Sequence, residues 1–369
     1  MDLGGHDMPV EAHMIQGPLG PDTIQIPGDP QRLARAIQGL TDLIQQLGDA
    51  GEQLRQADAP EDARGRTVKA LSNIAGRTGR TLQGDTKKLQ DLLDALQHES
   101  DVLTDAQGGL DDLRRRWRDA RQDLRQALDD DRSRKAREAA DHQGGHGDGR
   151  GDRPRQDGPD LDPQEIIRGI DAQIAQQSSG PLERLAGLQF MDPRGGGEGA
   201  FLVDGPADQA IRTYRQQANG VVDDFVESIR RVHRADEKLA ELLPRHDDKA
   251  FAAAEPTDEA AEAPEVQVIS RPGAISKVNQ EVEAAARALT ESAGGIREIR
   301  LAMREGRMTP DDERIGSMEG FQRTWNEHLD ELREDLDHAR KAAGEVADRL
   351  REIDDTGARD VRRASRGKN

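Results

Sequence analysis

Apolar residues recur along most of this chain at alternating steps of four and three, the spacing that places them on one face of an α-helix. In the first clear stretch Leu33, Leu40, Leu47 and Leu54 recur every seven residues, with Ile37 and Ile44 between them. That heptad seam predicts a helix from Pro30 to about Gln56. Asp29 suits its N-cap and Pro30 its first turn, and Ala59-Pro60 predicts its end.

A second run covers about Glu61 to Asp130. One seam position reads Val68, Ala75, Leu82, Leu89, Leu96, Leu103, Leu110, Trp117, Leu124. Its companion reads Leu71, Thr78, Asp85, Leu92, Glu99, Ala106, Leu113, Ala120, Ala127. An unbroken helix here would reach roughly 90 Å, but Gly108-Gly109 predicts a kink or a break. Asp85 and Glu99 fall on the seam itself. A buried acid needs a partner or a shifted pKa, so these two either set register or mark where the covering helix ends.

Two further pairs of helices are predicted. In the middle of the chain, Ile166, Ile167, Ile170 and Ile174 form one face, and Ile211, Tyr214, Ala218, Val222, Phe225, Ile229, Val232 and Leu239 another. Near the end, Ile275, Val278, Val282, Ala285, Leu289, Ile296, Ile299 and Met303 define a helix that Gly306 stops. Thr309-Pro310 starts the next, which carries Ile315, Met318, Trp325, Leu329, Leu332, Leu336, Ala339, Ala343, Val346, Leu350 and Ile353, with Gly357 as its C-cap. The resulting division is a disordered 1–27, a long hairpin over 28–130, a flexible linker over 131–160, a helical pair over 161–245, an acidic Ala/Pro linker over 246–270, a hairpin over 271–357 and a basic tail over 358–369.

Composition narrows the function classes. Aromatics are 2 % of the chain, so the apolar area must be buried along narrow helical seams and not in one large core. A net charge of −19 argues against nucleic acid or an anionic membrane surface as the main partner. The absence of cysteine excludes disulfides and thiolate chemistry. No apolar run approaches a membrane span, and the first residues lack the basic and apolar parts of an ordinary signal peptide. The expected setting is cytoplasmic, with any export through a route that needs no cleaved signal.

Candidate chemistry is sparse. His142 and His146 are one helical turn apart, but they lie in a Gly-rich stretch with no third ligand, so no metal site is expected. Arg150-Gly151-Asp152 is a chance tripeptide in a Gly/Asp/Arg segment. Gly195-Gly196-Gly197-Glu198-Gly199 has neither the preceding strand nor the Lys-Ser/Thr of a phosphate loop. The many carboxylates read as solvated helix faces. No cofactor, no small-molecule substrate and no enzymatic activity are expected.

The C-terminal unit does carry a likeness. Gly316-Ser317-Met318-Glu319-Gly320-Phe321, then Trp325, the Leu329/Leu332/Leu336 ladder and Asp354 resemble the second helix of the WXG-type (ESAT-like) helical hairpins of actinobacterial type VII secretion. The segment from Ile26 through Gly51 is similar to the opening helix of larger secretion-associated proteins of that system. The family's Trp-x-Gly turn reads here Arg304-Glu305-Gly306-Arg307-Met308, and its Tyr-to-acid export signal falls on Leu350 and Asp354, a degenerate form. The resemblance implies a non-enzymatic, secretion-associated protein that pairs its hairpins with a helical partner or with itself. On that reading the partner-interface candidates are Leu33, Leu40, Leu47, Leu54, Trp117, Trp325, Leu329, Leu332 and Leu336. The same seams could instead close only within the chain, and both tryptophans fit core packing. The competing reading is a cytoplasmic coiled-coil scaffold with no link to secretion. In either case the expected fold is all-α, built of long antiparallel helical hairpins and coiled-coil-like bundles joined by flexible linkers.

Overall fold

The structure is a computed structural model, and it describes residues 13–15, 19–56, 66–143, 162–186, 188–190, 206–243, 272–308 and 312–366. The fold class is all-α. In chain order the elements are β1 (His13–Ile15), α1 (Pro30–Gln56), α2 (Arg66–Gln143), α3 (Pro163–Ala186), β2 (Leu188–Phe190), α4 (Pro206–Leu242), α5 (Pro272–Gly306) and α6 (Asp312–Arg366). The two strands are three residues each and pair in parallel, His13 opposite Leu188 and Ile15 opposite Phe190.

The helices group into two compact units that are discontinuous in sequence. One takes its residues from Met1–Gly28, Glu99–Glu237 and Arg307–Pro310; the other from Asp29–His98, Lys238–Gly306 and Asp311–Asn369. The division expected from sequence, one hairpin after another, is therefore crossed by long-range packing. The second unit joins α1 and the start of α2 to α5 and α6.

The seams explain why these helices form and what they bury. On α2 every described residue at the leading seam position, from Ala75 to Leu124, is buried, and so are Leu71, Thr78, Asp85, Leu92, Glu99, Ala106, Leu113 and Ala120 at the companion position. On α1 the residues between the leucines differ from expectation. Ala36, Leu43 and Ala50 are buried, while Ile37 and Ile44 are only half-buried. Small side chains on that line allow close approach: a Cβ placed on Gly79 would lie 2.8 Å from the carbonyl oxygen of Gly51.

In the second unit, contacts fix the direction of each helix. Asp29 N–H donates to Gly306 O at 2.9 Å, and Ser292 Oγ donates to Gln46 Oε1 at 3.3 Å, so α1 and α5 run antiparallel. Arg300 meets Glu319 at 3.4 Å and Arg340 meets Glu283 at 4.0 Å, so α5 and α6 do too. His328 meets Asp85 at 2.8 Å and Arg77 meets Asp335 at 3.5 Å, which sets α6 against α2 in the same sense. The order around the bundle is thus α1, α2, α6, α5, each antiparallel to its neighbours.

In the first unit, α2 from Glu99 onward packs with α3 and α4. The faces predicted for those two helices, Ile166 to Ile174 and Ile211 to Val232, are buried. Of the segment 1–27, expected to be disordered, the described residues 19–27 are folded. Leu19, Ile24 and Ile26 are buried. Gln107 Nε2 donates to the carbonyls of Ile26 and Gly28, each at 3.0 Å, and Arg114 donates to Ile24 O at 2.9 Å. Gly28 then turns the chain with φ 109°, a conformation that suits glycine, and Asp29 caps α1 by accepting from Gln31 N–H at 2.9 Å.

Two helices run past their expected ends. Gly108 and Gly109 do not break α2, which continues to Gln143, so 131–143 is helix and not linker. Gly357 does not cap α6, which continues to Arg366 through the expected basic tail. Glycine alone, with no proline behind it, weakens a helix by about 1 kcal/mol without forcing it to stop. Ile353, expected on the buried face of α6, is 66 % exposed. The expected linker 246–270, Thr309-Pro310 and the remainder of 131–160 lie outside the described residues.

Candidate functional site

The first unit encloses a connected polar network. Tyr214, on the apolar face of α4, is 1 % exposed. A buried phenol needs hydrogen-bond partners, and it has two. Its hydroxyl donates to Asp171 Oδ1 at 2.5 Å and accepts from Trp117 Nε1 at 3.1 Å. Asp171, on α3, takes its second charge-assisted bond from Arg121 Nη2 at 2.6 Å. The Arg121 guanidinium also lies over the Trp117 ring, 5.9 Å from its centroid. Three helices thus converge on one carboxylate.

The electrostatics follow from that placement. Burial raises the Asp171 carboxyl above its ordinary range, and the Arg121 charge opposes the rise. Burial and the neighbouring Asp171 push the Tyr214 hydroxyl above its ordinary value as well. The phenol therefore remains a neutral donor to the Asp171 carboxylate. The network can hold three helices in register, and it has the tuned acidity of a polar site.

Above this network α2 and α3 leave an open groove of about 600 Å³. Arg118, Arg121, Arg125 and Gln122 line it from α2, and Gln164 and Arg168 from α3, with Asp171 at its base. In the second unit a groove of about 560 Å³ between α1 and α5 is lined by mixed charges, Arg32 and Arg35 facing Asp42, Glu291, Glu298 and Glu305.

Two more buried polar contacts answer the question posed by the seam acids. Asp85, 3 % exposed, is met by His328 at 2.8 Å, with Trp325 packed 6.0 Å from the His328 ring and stacked on Phe321. Glu99, fully buried, lies 3.9 Å from Arg307, which also donates through Nε to Asp236 Oδ1 at 2.5 Å.

The partner-interface candidates all fall on buried seams. Leu33, Leu40, Leu47, Leu54, Trp117, Trp325, Leu329, Leu332 and Leu336 are all buried inside the chain. Their seams face other helices of this chain, the packing within the chain that the sequence left open beside pairing with a partner. Asp354, expected from sequence as the acid of a degenerate export signal, is exposed on α6, and the side chain of Leu350 is outside the described residues. His142 ends in the last turn of α2, while His146, Arg150-Gly151-Asp152 and the glycines 195–199 lie outside the described residues. Among the described residues there is no group of three or more His, Asp or Glu placed to hold a metal ion, and no helix long and apolar enough to cross a membrane.

Sequence reasoning missed Asp171, Arg121 and the polar role of Tyr214. One signal was present: the sole tyrosine of the chain stands among aliphatic residues on a seam, and such a hydroxyl must find an acceptor. The chain matches no protein family, no curated protein and no solved structure.

Proposed function

We propose that this chain is a non-enzymatic, secretion-associated protein of WXG-like character whose two hairpin regions act as each other's partner. Proteins that the C-terminal segment resembles pair two hairpins into a four-helix bundle. Here both hairpin regions belong to one chain. The observation that supports this reading is the antiparallel ring of α1, α2, α6 and α5, locked by the Asp85–His328 contact at 2.8 Å. Such a protein acts by presenting its outer helix faces to other components of an export system, and its apolar seams stay inside.

The test has two parts. Light scattering of the purified full chain is expected to give a monomer near 40.5 kDa. A stable dimer or an obligate helical partner would remove the self-pairing. Fractionation of cells with and without an active type VII-like secretion ATPase is expected to show ATPase-dependent export. Protein confined to the cytosol in both strains would favour the second reading, a cytoplasmic helical scaffold. One residue speaks for that alternative: Leu350 stands where the export signal has its tyrosine.

A further inference from the structure

From the arginine-lined groove between α2 and α3 we infer an anion-binding site for a phosphate-bearing ligand. The inference is independent of any role in secretion. Arg118, Arg121 and Arg125 stand at i, i+3 and i+7 on α2, which puts them on one face. Arg168 approaches from α3 across the same groove. The lining thus holds four guanidiniums and one carboxylate, in a chain whose net charge is −19.

Several arginines outside the groove are paired with acids, as Arg212 is with Asp208, Arg333 with Asp330, Arg351 with Asp348 and Arg77 with Asp335. In the groove Arg121 is held by Asp171 at 2.6 Å and Arg118 reaches Asp22 at 3.6 Å, an exposed contact. Among the described residues neither Arg125 nor Arg168 has a carboxylate within ion-pair distance. Arg168 spends only its Nε, on Gln164 O at 3.3 Å. The amides of Gln122 and Gln164 add neutral donors to the same wall.

This arrangement selects the ligand class. Guanidinium forks match the oxygens of phosphate, and several forks converge best on a multiply charged group. A volume of about 600 Å³ falls within the range of small-molecule sites. The first amides of α3 are not part of the site, because Asp162 already accepts from Gln164 N–H at 3.1 Å and Glu165 N–H at 2.8 Å. Asp171 and its bond to Arg121 fix the groove's floor, so the site is built on the same network that holds the three helices.

The test is calorimetric titration of the full chain with pyrophosphate at physiological salt. Saturable one-to-one binding is expected, weakened at least about tenfold in the double variant Arg125→Gln/Arg168→Gln. Both side chains are exposed, so helical circular dichroism should be unchanged and folding is controlled. Arg333→Gln, in the other unit, should bind like the parent chain. A nucleoside triphosphate and a phosphoserine peptide, titrated separately, distinguish a free phosphorylated molecule from a modified protein as the source. No saturable binding of pyrophosphate, or equal affinity in the parent and the double variant, overturns the site. Equal weakening by Arg333→Gln would also overturn it, since that points to net charge alone.

Discussion

Replacing Tyr214 with Phe removes one oxygen and keeps the ring. The structure says what that oxygen does. It accepts from Trp117 Nε1 at 3.1 Å and donates to Asp171 Oδ1 at 2.5 Å, and both rings are essentially inaccessible. Losing the acceptor strands a buried donor, at about 1–3 kcal/mol, and losing the donor deprives a buried carboxylate of a bond worth about 1.5–3 kcal/mol. Phe fills the same space and is more apolar, which offsets part of the loss, so the net cost is about 2–4 kcal/mol. With a urea slope of about 1–3 kcal/mol per molar, the midpoint should fall by about 1–2 M.

The assay uses a convenience of the sequence. The chain has two tryptophans, Trp117 in one unit and Trp325 in the other. In a Trp325→Phe background the fluorescence reports the unit that contains Tyr214 alone, which avoids forcing one transition onto two units. A loss of unfolding free energy of less than about 0.5 kcal/mol would refute the reasoning. It would mean that the hydroxyl is not the hinge of a buried network and that Trp117 and Asp171 are satisfied without it.

Further predictions follow from other sites. Tyr214 is the only tyrosine, so phenolate absorbance reads it directly. Its folded pKa is raised above the ordinary 10.0, so its contribution to stability is complete below pH 10.0 and is lost as pH rises beyond that value; phenolate should appear only with loss of helical circular dichroism, and an ordinary midpoint in the folded chain would contradict this. A Cβ on Gly306 would lie 2.7 Å from Leu33 Cδ2 and 2.9 Å from Leu33 N, so Gly306→Ala should cost about 1–3 kcal/mol, whereas Gly84→Ala, with nothing within 4 Å, should stabilise by about 0.5–1 kcal/mol in the same thermal unfolding experiment. Asp85→Leu and His328→Leu, each alone, should destabilise by about 3–5 kcal/mol, while the double variant should be near neutral or better; a cost for the double equal to the sum of the two singles would show that the pair is not coupled.

Much of the fold was legible because helices bury what their period dictates. The seam of α2 and the faces of α4 and α5 were readable residue by residue. Helix ends were less so, since Gly108-Gly109 and Gly357 lower helix propensity without blocking the backbone. On α1, apolarity pointed to Ile37 and Ile44, but the close approach of α1 to its neighbours favours the smaller Ala36 and Ala50. The grouping of α1 with α5 was not legible. Asp29 and Gly306 meet across most of the chain, and nothing local in either segment marks the other. The Asp171 site was hidden for the same reason, since its three contributing helices are each amphipathic and only their meeting makes a site.

The seam acids show how such a repetitive sequence avoids pairing in the wrong register. A leucine seam is nearly unchanged by a slide of one heptad: Leu82, Leu89, Leu96 and Leu103 would replace one another. Asp85 would not survive the slide. Seven residues to either side of His328 on α6 stand Phe321 and Asp335. Either would face a buried carboxylate with an apolar ring or a like charge, at several kcal/mol. The same holds in the other unit for Glu99, whose cation Arg307 stands in the turn after α5 and is shared with Asp236. An acid in an apolar seam is costly in every register but one, the one in which its hydrogen-bonding or charged partner arrives. Asp85 and Glu99 therefore carry the alignment information that the leucines lack, and their partners had to come from remote parts of the chain for that information to specify the tertiary pairing and not merely the helix.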